Sequence, residues 1–311
     1  MMKIACIGEC MIELTEAADG HFARGYGGDT LNTATYLARL GVAVDYVTAL
    51  GDDPWSDEMV AGWRTEGIGT SHVARLAGKL PGLYVIETNA AGERRFHYWR
   101  DSSAARSLLD LPQTGAILEA LTGYDVVYLS GVTLSLYDAA GRARLMSALE
   151  DVRCAGRRIA FDTNFRPRGW PDRALAQRTY HDMFAGADIV LASVEDLDLL
   201  FGPGRGAGEA DRLHVPELVL KLAEPASRVR AGGLDEVVHA APVARVVDTT
   251  AAGDSYSAAY LAARLQGDDP VAAARAGHDL AGIVVGYSGA LIPRAAMPAP
   301  SSMFQRRITT A

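Results

Sequence analysis

The sequence predicts an α/β fold: a mostly parallel sheet covered by helices on both faces. Short apolar runs alternate with helical segments along most of the chain, which is the order of βαβ units. With 311 residues, 49% of them hydrophobic, the chain can also bury a sizeable core. One stretch breaks the rhythm and reads as a β-hairpin inserted into that core.

From the amino end, "KIACIG" (3–8) is an apolar run closed by glycine and reads as a buried strand. "DTLNTATYLARLG" (29–41) is helical, with Leu31, Ala34, Leu37, Ala38 and Leu40 at helical spacing. Asp29 or Thr30 is its expected cap and Gly41 its stop. "VDYVTALG" (44–51) is a strand, and "DDPWSDEMVAGWRTEG" (52–67) is a helix with Pro54 in its first turn. Then come strands at 124–131, 157–164, 188–193 and 216–223, with helices at 138–156, 172–187 and 194–202 between them. "GLYVIETNAAGERRFHYWR" (82–100) is the interruption, two alternating strands joined by "NAAG". Alternation places Tyr84, Ile86 and Thr88 on one face of the first strand, and Phe96, Tyr98 and Arg100 on one face of the second. Its expected role is a lid; the alternative is an edge hairpin of the main sheet.

The net charge of −8 argues against nucleic acid as a partner. Cys6, Cys10 and Cys154 are too few and odd in number for a disulfide framework, which points to a reducing, cytoplasmic setting. Cys6 and Cys10 read as small apolar residues of a buried strand rather than metal ligands. No stretch has the length of a membrane span, and the start has no secretory pattern. The glycine-rich "GPGRGAGEADR" (202–212) lacks dinucleotide spacing and follows a helix, so it is expected to be a flexible surface loop.

The chemistry concentrates at "DTTAAGDSYSAAYLAARL" (248–265), where a helix begins on small residues beside one acid. A helix start carries free amides and partial positive charge. Ala251, Ala252 and Gly253 let an anion such as phosphate approach them closely. Asp254 would repel that anion, but makes sense facing an incoming hydroxyl as a general base. The alternative is that Asp254 merely caps the helix. "GGDTLNTA" (27–34) offers a glycine turn for close approach and Asn32 for a polyol hydroxyl. Arg100 and Arg166, in loops expected at the same sheet edge, suit a carboxylate and so an acidic substrate.

"GGDTLNTATYLARLG" with "TALGDDPWSDEM", and "DTTAAGDSYSAAYLAARL", resemble the two signatures of the ribokinase-like (PfkB-type) carbohydrate kinases, and the resemblance covers nearly the whole chain. "IGECMIEL", "GERRFHYWR", "FDTNFRPRGW" and "SGALIPRAAMP" resemble the branch that phosphorylates 2-keto-3-deoxygluconate at its terminal hydroxyl. The resemblance implies one Rossmann-type three-layer domain over residues 1–311, with a β-sheet lid inserted at about 11–27 and 71–101. It implies ATP and Mg²⁺, with a monovalent cation in some members, and lid strands that pair between subunits into a homodimer or larger homo-oligomer. Asp254 would be the base and Ala251, Ala252 and Gly253 the anion hole. Gly28, Asn32, Tyr84, Tyr98, Arg100, Arg166 and Ala290 would hold the sugar acid. Ser193, Lys221, Ser227 and His278 would line the nucleotide, and Glu195 and Asp196 would act on hydrated Mg²⁺. Two departures stand out: "KLAEPASRV" lacks the family's glycine turn after the lysine, and "SVED" replaces a more common Asn-x-x-Glu. The competing readings are a neutral-sugar kinase and a catalytically silent sugar-binding homologue.

Overall fold

The computed structural model describes residues 2–16, 20–88, 94–300 and 303. The chain opens with β1 (Lys3–Ile7) and passes into β2 (Met11–Glu16) and β3 (Phe22–Gly27) of a separate small sheet. It returns through α1 (Asp29–Arg39), β4 (Ala43–Gly51), α2 (Pro54–Thr65) and β5 (Val73–Leu76). A second excursion adds β6 (Gly82–Thr88) and β7 (Arg94–Trp99) to the small sheet. Next come a 3₁₀ turn (Ala104–Asp110), α3 (Thr114–Ala120), β8 (Val126–Ser130), α4 (Gly131–Ser135), α5 (Ala139–Cys154) and β9 (Arg158–Asp162). Then follow α6 (Arg173–Gly186), β10 (Ile189–Ser193), α7 (Val194–Phe201), α8 (Gly206–Arg212) and β11 (Glu217–Lys221). The chain closes with β12 (Ala226–Ala231), β13 (Leu234–His239), α9 (Ala252–Leu265) and α10 (Pro270–Val284).

The large sheet runs β13-β12-β11-β10-β9-β8-β1-β4-β5, parallel from β5 to β11 and antiparallel at its last two strands. After β5 the chain jumps to β8 on the far side of β1, and such a reversal opens a crevice at the carboxyl ends of the strands. Strand alternation divides the core: Ile4 and Cys6 pack with α1, α9 and α10, whereas Ala5 and Ile7 pack with α5 and α6. Both early cysteines are buried free thiols, as the apolar reading expects.

The small sheet has the order β3-β2-β6-β7. Tyr84 pairs with Tyr98 and Ile86 with Phe96 across β6 and β7. The rings of Tyr84, Phe96 and Tyr98 lie 5.8–6.3 Å apart over Met11 and Ile86, a small core of their own. The "NAAG" turn lies outside the described residues. Residues 73–76, placed in the lid by the sequence reading, instead form β5 and pair with β4 in the large sheet.

Two local expectations need correction. Helix α1 is capped by neither Asp29 nor Thr30: its N-cap is Gly28, with no side-chain cap. The Thr30 hydroxyl is instead engaged with Tyr46 (3.0 Å). The glycine-rich 202–212 stretch is not a loose loop. Its second half is α8, and a Cβ on Gly206 would fall 2.4 Å from the Val194 carbonyl, so glycine lets this turn dock on α7. The Gly206 amide also donates to Asp198 Oδ1 (2.6 Å).

Candidate active site

Helix α9 starts on Ala251, a non-glycine residue in the left-handed region (φ 58°), with no side-chain cap. Among the described residues no side chain caps it; the Ala252 amide, expected in the anion hole, already donates to the Thr249 carbonyl (3.2 Å), which leaves the Gly253 and Asp254 amides for an anion. The loop before it is pinned by Asp248, which accepts from the Thr250 amide (2.9 Å), the Thr250 hydroxyl (2.7 Å) and the Gly289 amide (2.7 Å). Lys221, at the carboxyl end of β11, extends over the start of α9, and a Cβ on Gly253 would lie 3.6 Å from its Nζ. Its ammonium pairs with Asp162 Oδ2 at 3.3 Å, and the Ser257 hydroxyl donates to the same oxygen (2.8 Å). Bare amides, a left-handed entry and a lysine make an anion cradle.

Asp254 projects from the first turn of α9, and its Oδ2 accepts from Asn32 Nδ2 at 2.8 Å. Loss of water chiefly, then the like charges of Asp29 and Asp162, push its carboxyl up to about 8; the Asn32 hydrogen bond and the Lys221 charge oppose them. Such a group changes protonation near neutral pH, which a solvated surface cap would not do. Asn32 Oδ1 is buried with no hydrogen-bond partner, which leaves an acceptor for a ligand hydroxyl. Gly28 has extended backbone, and its lack of a side chain lets it pack on the chain's own turn after β1: a Cβ would sit 2.2 Å from the Glu9 carbonyl oxygen.

Arg166, in the loop after β9, donates from Nη1 to the Phe165 carbonyl (3.0 Å) and to Asp196 Oδ1 (3.3 Å). Its side chain is 60% exposed; partial desolvation opposes its charge, and Asp196, then Asp29 and Asp254, outweigh that and raise the guanidinium above its ordinary value. Arg100, at the end of β7, is ion-paired with Glu9, a carboxylate buried just after β1. Tyr84 is buried, and its hydroxyl donates to Glu13 rather than facing open space. Tyr98, by contrast, is 45% exposed. Tyr98, Arg100 and Arg166 line one cleft of about 1020 Å³, with Arg106, Arg142 and Arg168 further along it.

The nucleotide-side expectations fare unevenly. Ser227 is wholly buried; its hydroxyl meets Tyr256 Oη (2.7 Å) and His278 Nε2 (3.0 Å), so its side chain braces helices instead of lining a cleft. Burial pushes the His278 imidazole below its ordinary value, with the Val238 backbone opposing. The Ser193 hydroxyl caps α7, accepting from the Asp196 amide (3.0 Å). Asp196 is buried and accepts from Thr163 (2.8 Å) as well as Arg166, while Glu195 is exposed. Among the described residues no three metal-ligating side chains converge. The Ala290 carbonyl accepts from the Tyr36 hydroxyl (2.7 Å), which ties the last loop to α1.

The structure thus brings Asp254, Asn32, Gly253 and Lys221 together, and Tyr98, Arg100 and Arg166 along a cleft whose lining does not include that first group, with Arg166 within electrostatic reach of Asp254. Sequence reasoning missed Glu9, Asp29, Asp162 and Asn164. Asn164 donates to Asp29 Oδ2 (2.5 Å) from a positive-φ conformation (φ 25°), joining the loop after β9 to the start of α1. Asp162 and Asn164 lie within "DTNFRPRGW", and their place at a strand's carboxyl end was the available signal.

An uncapped helix start holding a raised carboxylate, facing a glycine-cornered helix beneath a small sheet, defines a phosphoryl-transfer enzyme acting on a sugar. The model of the pfkB family carbohydrate kinases matches residues 1–296, and the chain belongs to that family. It is 45% identical over 307 residues to the 2-dehydro-3-deoxygluconokinase of Dickeya dadantii, covering 96% of this chain and 99% of the relative. It is 43% identical to the 2-dehydro-3-deoxygluconokinase of Escherichia coli K12 with the same coverage. The crystal structure of 2-dehydro-3-deoxygluconokinase from Thermotoga maritima superposes with a TM-score of 0.84 at 22% identity, over 98% of this chain and 97% of that one.

Proposed function

We propose that this chain transfers the terminal phosphoryl group of ATP to the 6-hydroxyl of 2-keto-3-deoxygluconate (2-dehydro-3-deoxygluconate), giving 2-keto-3-deoxy-6-phosphogluconate. The observation that carries the reading is full-length similarity above 40% to enzymes of that name. The arginine-lined cleft supports it, since its Arg166 feels the Asp254 charge and an acidic acceptor needs cations that a neutral sugar does not.

Asp254 accepts the proton of the terminal hydroxyl as the oxygen attacks the phosphorus, and ADP leaves with the electrons of the broken bond. Asn32 keeps the receiving oxygen of Asp254 in place. The first amides of α9 and the Lys221 ammonium offset the charge on the transferring group, and this alignment and compensation are most of the catalysis. Magnesium, bound with the nucleotide, supplies further positive charge to the phosphate oxygens. The residues suit an ion held mainly by phosphate and water, with Asp196 and Glu195 acting through that water. The small sheet serves as a lid, Tyr98 and Arg100 being its contribution to the cleft.

The test is ADP release with ATP and Mg²⁺ against 2-keto-3-deoxygluconate, its galactonate epimer, gluconate, fructose and ribose. Strong preference for the keto-deoxy acids is expected. Turnover of neutral sugars alone would overturn the acid reading and leave the Asp254 chemistry standing.

A further inference from the structure

Tyr36 is wholly buried on α1, where the ring of a phenylalanine would fill the same space. Its hydroxyl serves a loop at the other end of the chain. It donates to the Ala290 carbonyl (2.7 Å) and accepts from the Ile292 amide (3.2 Å). Burial pushes this phenol up to about 12, so near neutral pH it stays a donor. Three residues further along α1, Arg39 has a side chain only 6% exposed. Its Nη1 donates to the Ile292 carbonyl (2.7 Å), and its Nε and Nη2 fork onto Glu66 (2.9 and 2.7 Å) at the end of α2. Residues 285–293 form neither helix nor strand, so their backbone groups must find partners outside any ladder. Two side chains of α1 supply three of those partners.

The other end of this loop is fastened to the site. The Val285 carbonyl accepts from the Val247 (2.7 Å) and Asp248 (3.2 Å) amides. Gly289, at φ 86°, has a conformation that glycine adopts freely, and its amide donates to Asp248 Oδ2 (2.7 Å). Asp248 Oδ1 holds both the amide and the hydroxyl of Thr250, and the next residue is Ala251, the left-handed start of α9. A non-glycine residue keeps that conformation only where its surroundings enforce it. The loop therefore stands between α1 and the entry to the anion cradle.

The register of α1 joins the two halves of the site. Tyr36 follows Asn32 by four residues, so both project from one face of the helix. Asn32 holds Asp254 directly (2.8 Å). Tyr36 reaches the start of the same helix α9 through the loop.

We infer that Tyr36 is a positioning residue for phosphoryl transfer: its hydroxyl fixes the 289–292 loop, and Gly289 and Asp248 carry that constraint to the first turn of α9. Arg39 braces the same loop from the next turn of α1. The kinetic part of the inference rests on the kinase reading; the mechanical part does not.

Tyr36→Phe removes the hydroxyl and keeps the ring. Tyr260→Phe is its control, because Tyr260 is equally buried and donates to Glu217 (2.7 Å), but lies further along α9, away from the first turn. Both variants should melt below the wild type, since each leaves a buried group unpaired. Kinetics with ATP and 2-keto-3-deoxygluconate should separate them. Tyr36→Phe is expected to lower kcat roughly 10–100-fold, the cost of misplacing aligned groups by about 1 Å, with less effect on the KM for the acid. Tyr260→Phe should keep kcat within about threefold. Arg39→Lys keeps the charge and gives up the fork, so it should lower kcat in the same sense, and it stands in for Tyr36→Phe should that variant not fold. Amide exchange needs no substrate: the Thr250 and Gly289 amides should exchange faster in Tyr36→Phe than in the wild type or in Tyr260→Phe. If the wild type does not turn over the acid, the kinase reading fails and exchange alone decides the inference. In a folded variant, unchanged kcat or unchanged exchange at Thr250 and Gly289 would overturn it, as would an equal loss of kcat in Tyr260→Phe.

Discussion

Replacing Asp254 by asparagine should abolish turnover and stabilise the unliganded protein, increasingly so at higher pH. The two effects share one cause. Asp254 is crowded by Asp29 and Asp162 and poorly hydrated, so its carboxyl is pushed up from 3.8 to about 8. A raised acid binds its proton more tightly in the folded chain than in the unfolded one. Stability is therefore highest below the ordinary carboxylate range and falls as pH rises through the interval up to about 8. At about 1.4 kcal/mol per pH unit the full interval would cost on the order of 5 kcal/mol. Water and counter-ions in the open cleft screen part of it, which leaves about 1–3 kcal/mol. Asparagine has the same shape, can still accept from Asn32, and carries no charge to expel. Thermal melts of both proteins at pH 5 and pH 8.5 read the difference directly. The variant's advantage should be roughly a quarter of its full size at pH 5 and several degrees at pH 8.5, on the scale of about 2–4 °C per kcal/mol. Its turnover should fall by roughly 10²–10⁴-fold, the usual worth of a general base. A melting difference that does not change with pH would refute the crowded-carboxylate account. Retained turnover would refute the base.

In the wild type, kcat/KM should climb with pH and level off near pH 8, following the free enzyme's Asp254; a limb at pH 4–5 would contradict the raised carboxyl. Glu9→Gln should destabilise by about 3–5 kcal/mol in urea melts, since Arg100 loses its buried counter-charge, while Glu9→Gln with Arg100→Met should lose much less. Equal losses would show that the pair does not act as a unit. Gly28→Ala should cost at least about tenfold in kcat/KM, because its Cβ would lie 2.2 Å from the Glu9 carbonyl oxygen and no rotamer can relieve a backbone clash; normal activity would remove the need for close approach. Ser227→Ala should cost about 1–3 kcal/mol by orphaning Tyr256 and His278, with the KM for ATP nearly unchanged. A tenfold rise in that KM would return Ser227 to the nucleotide site.

The alternation of apolar runs and helices was legible because the central strands β1, β8, β9, β10 and β11 are buried along nearly their whole length. The two antiparallel strands β12 and β13 were not, since Arg228, Arg230, Asp235 and Glu236 break their apolar pattern. At the site, Asp254 and the small residues before it were readable from the chemistry of a helix start alone. Pairings were not. Nothing local in "IGECMIEL" says that Glu9 will meet Arg100, 91 positions later, or that Arg166 will be shared with Asp196. An arginine in a promising loop looks free until the fold supplies its partner.

Helices α1 and α9 pack against each other, and both begin without a capping side chain at the same crevice. Each missing cap leaves the fold short of roughly 1 kcal/mol that an ordinary protein would have secured internally. The ligands complete what the chain omits, so affinity and folding stability draw on one free energy. Amide exchange in the first turns of α1 and α9 should therefore slow together as substrates bind, even in residues that touch only one of them. Mutational selection for a hardier unliganded protein would tend to fill those two gaps, and in doing so would close the site.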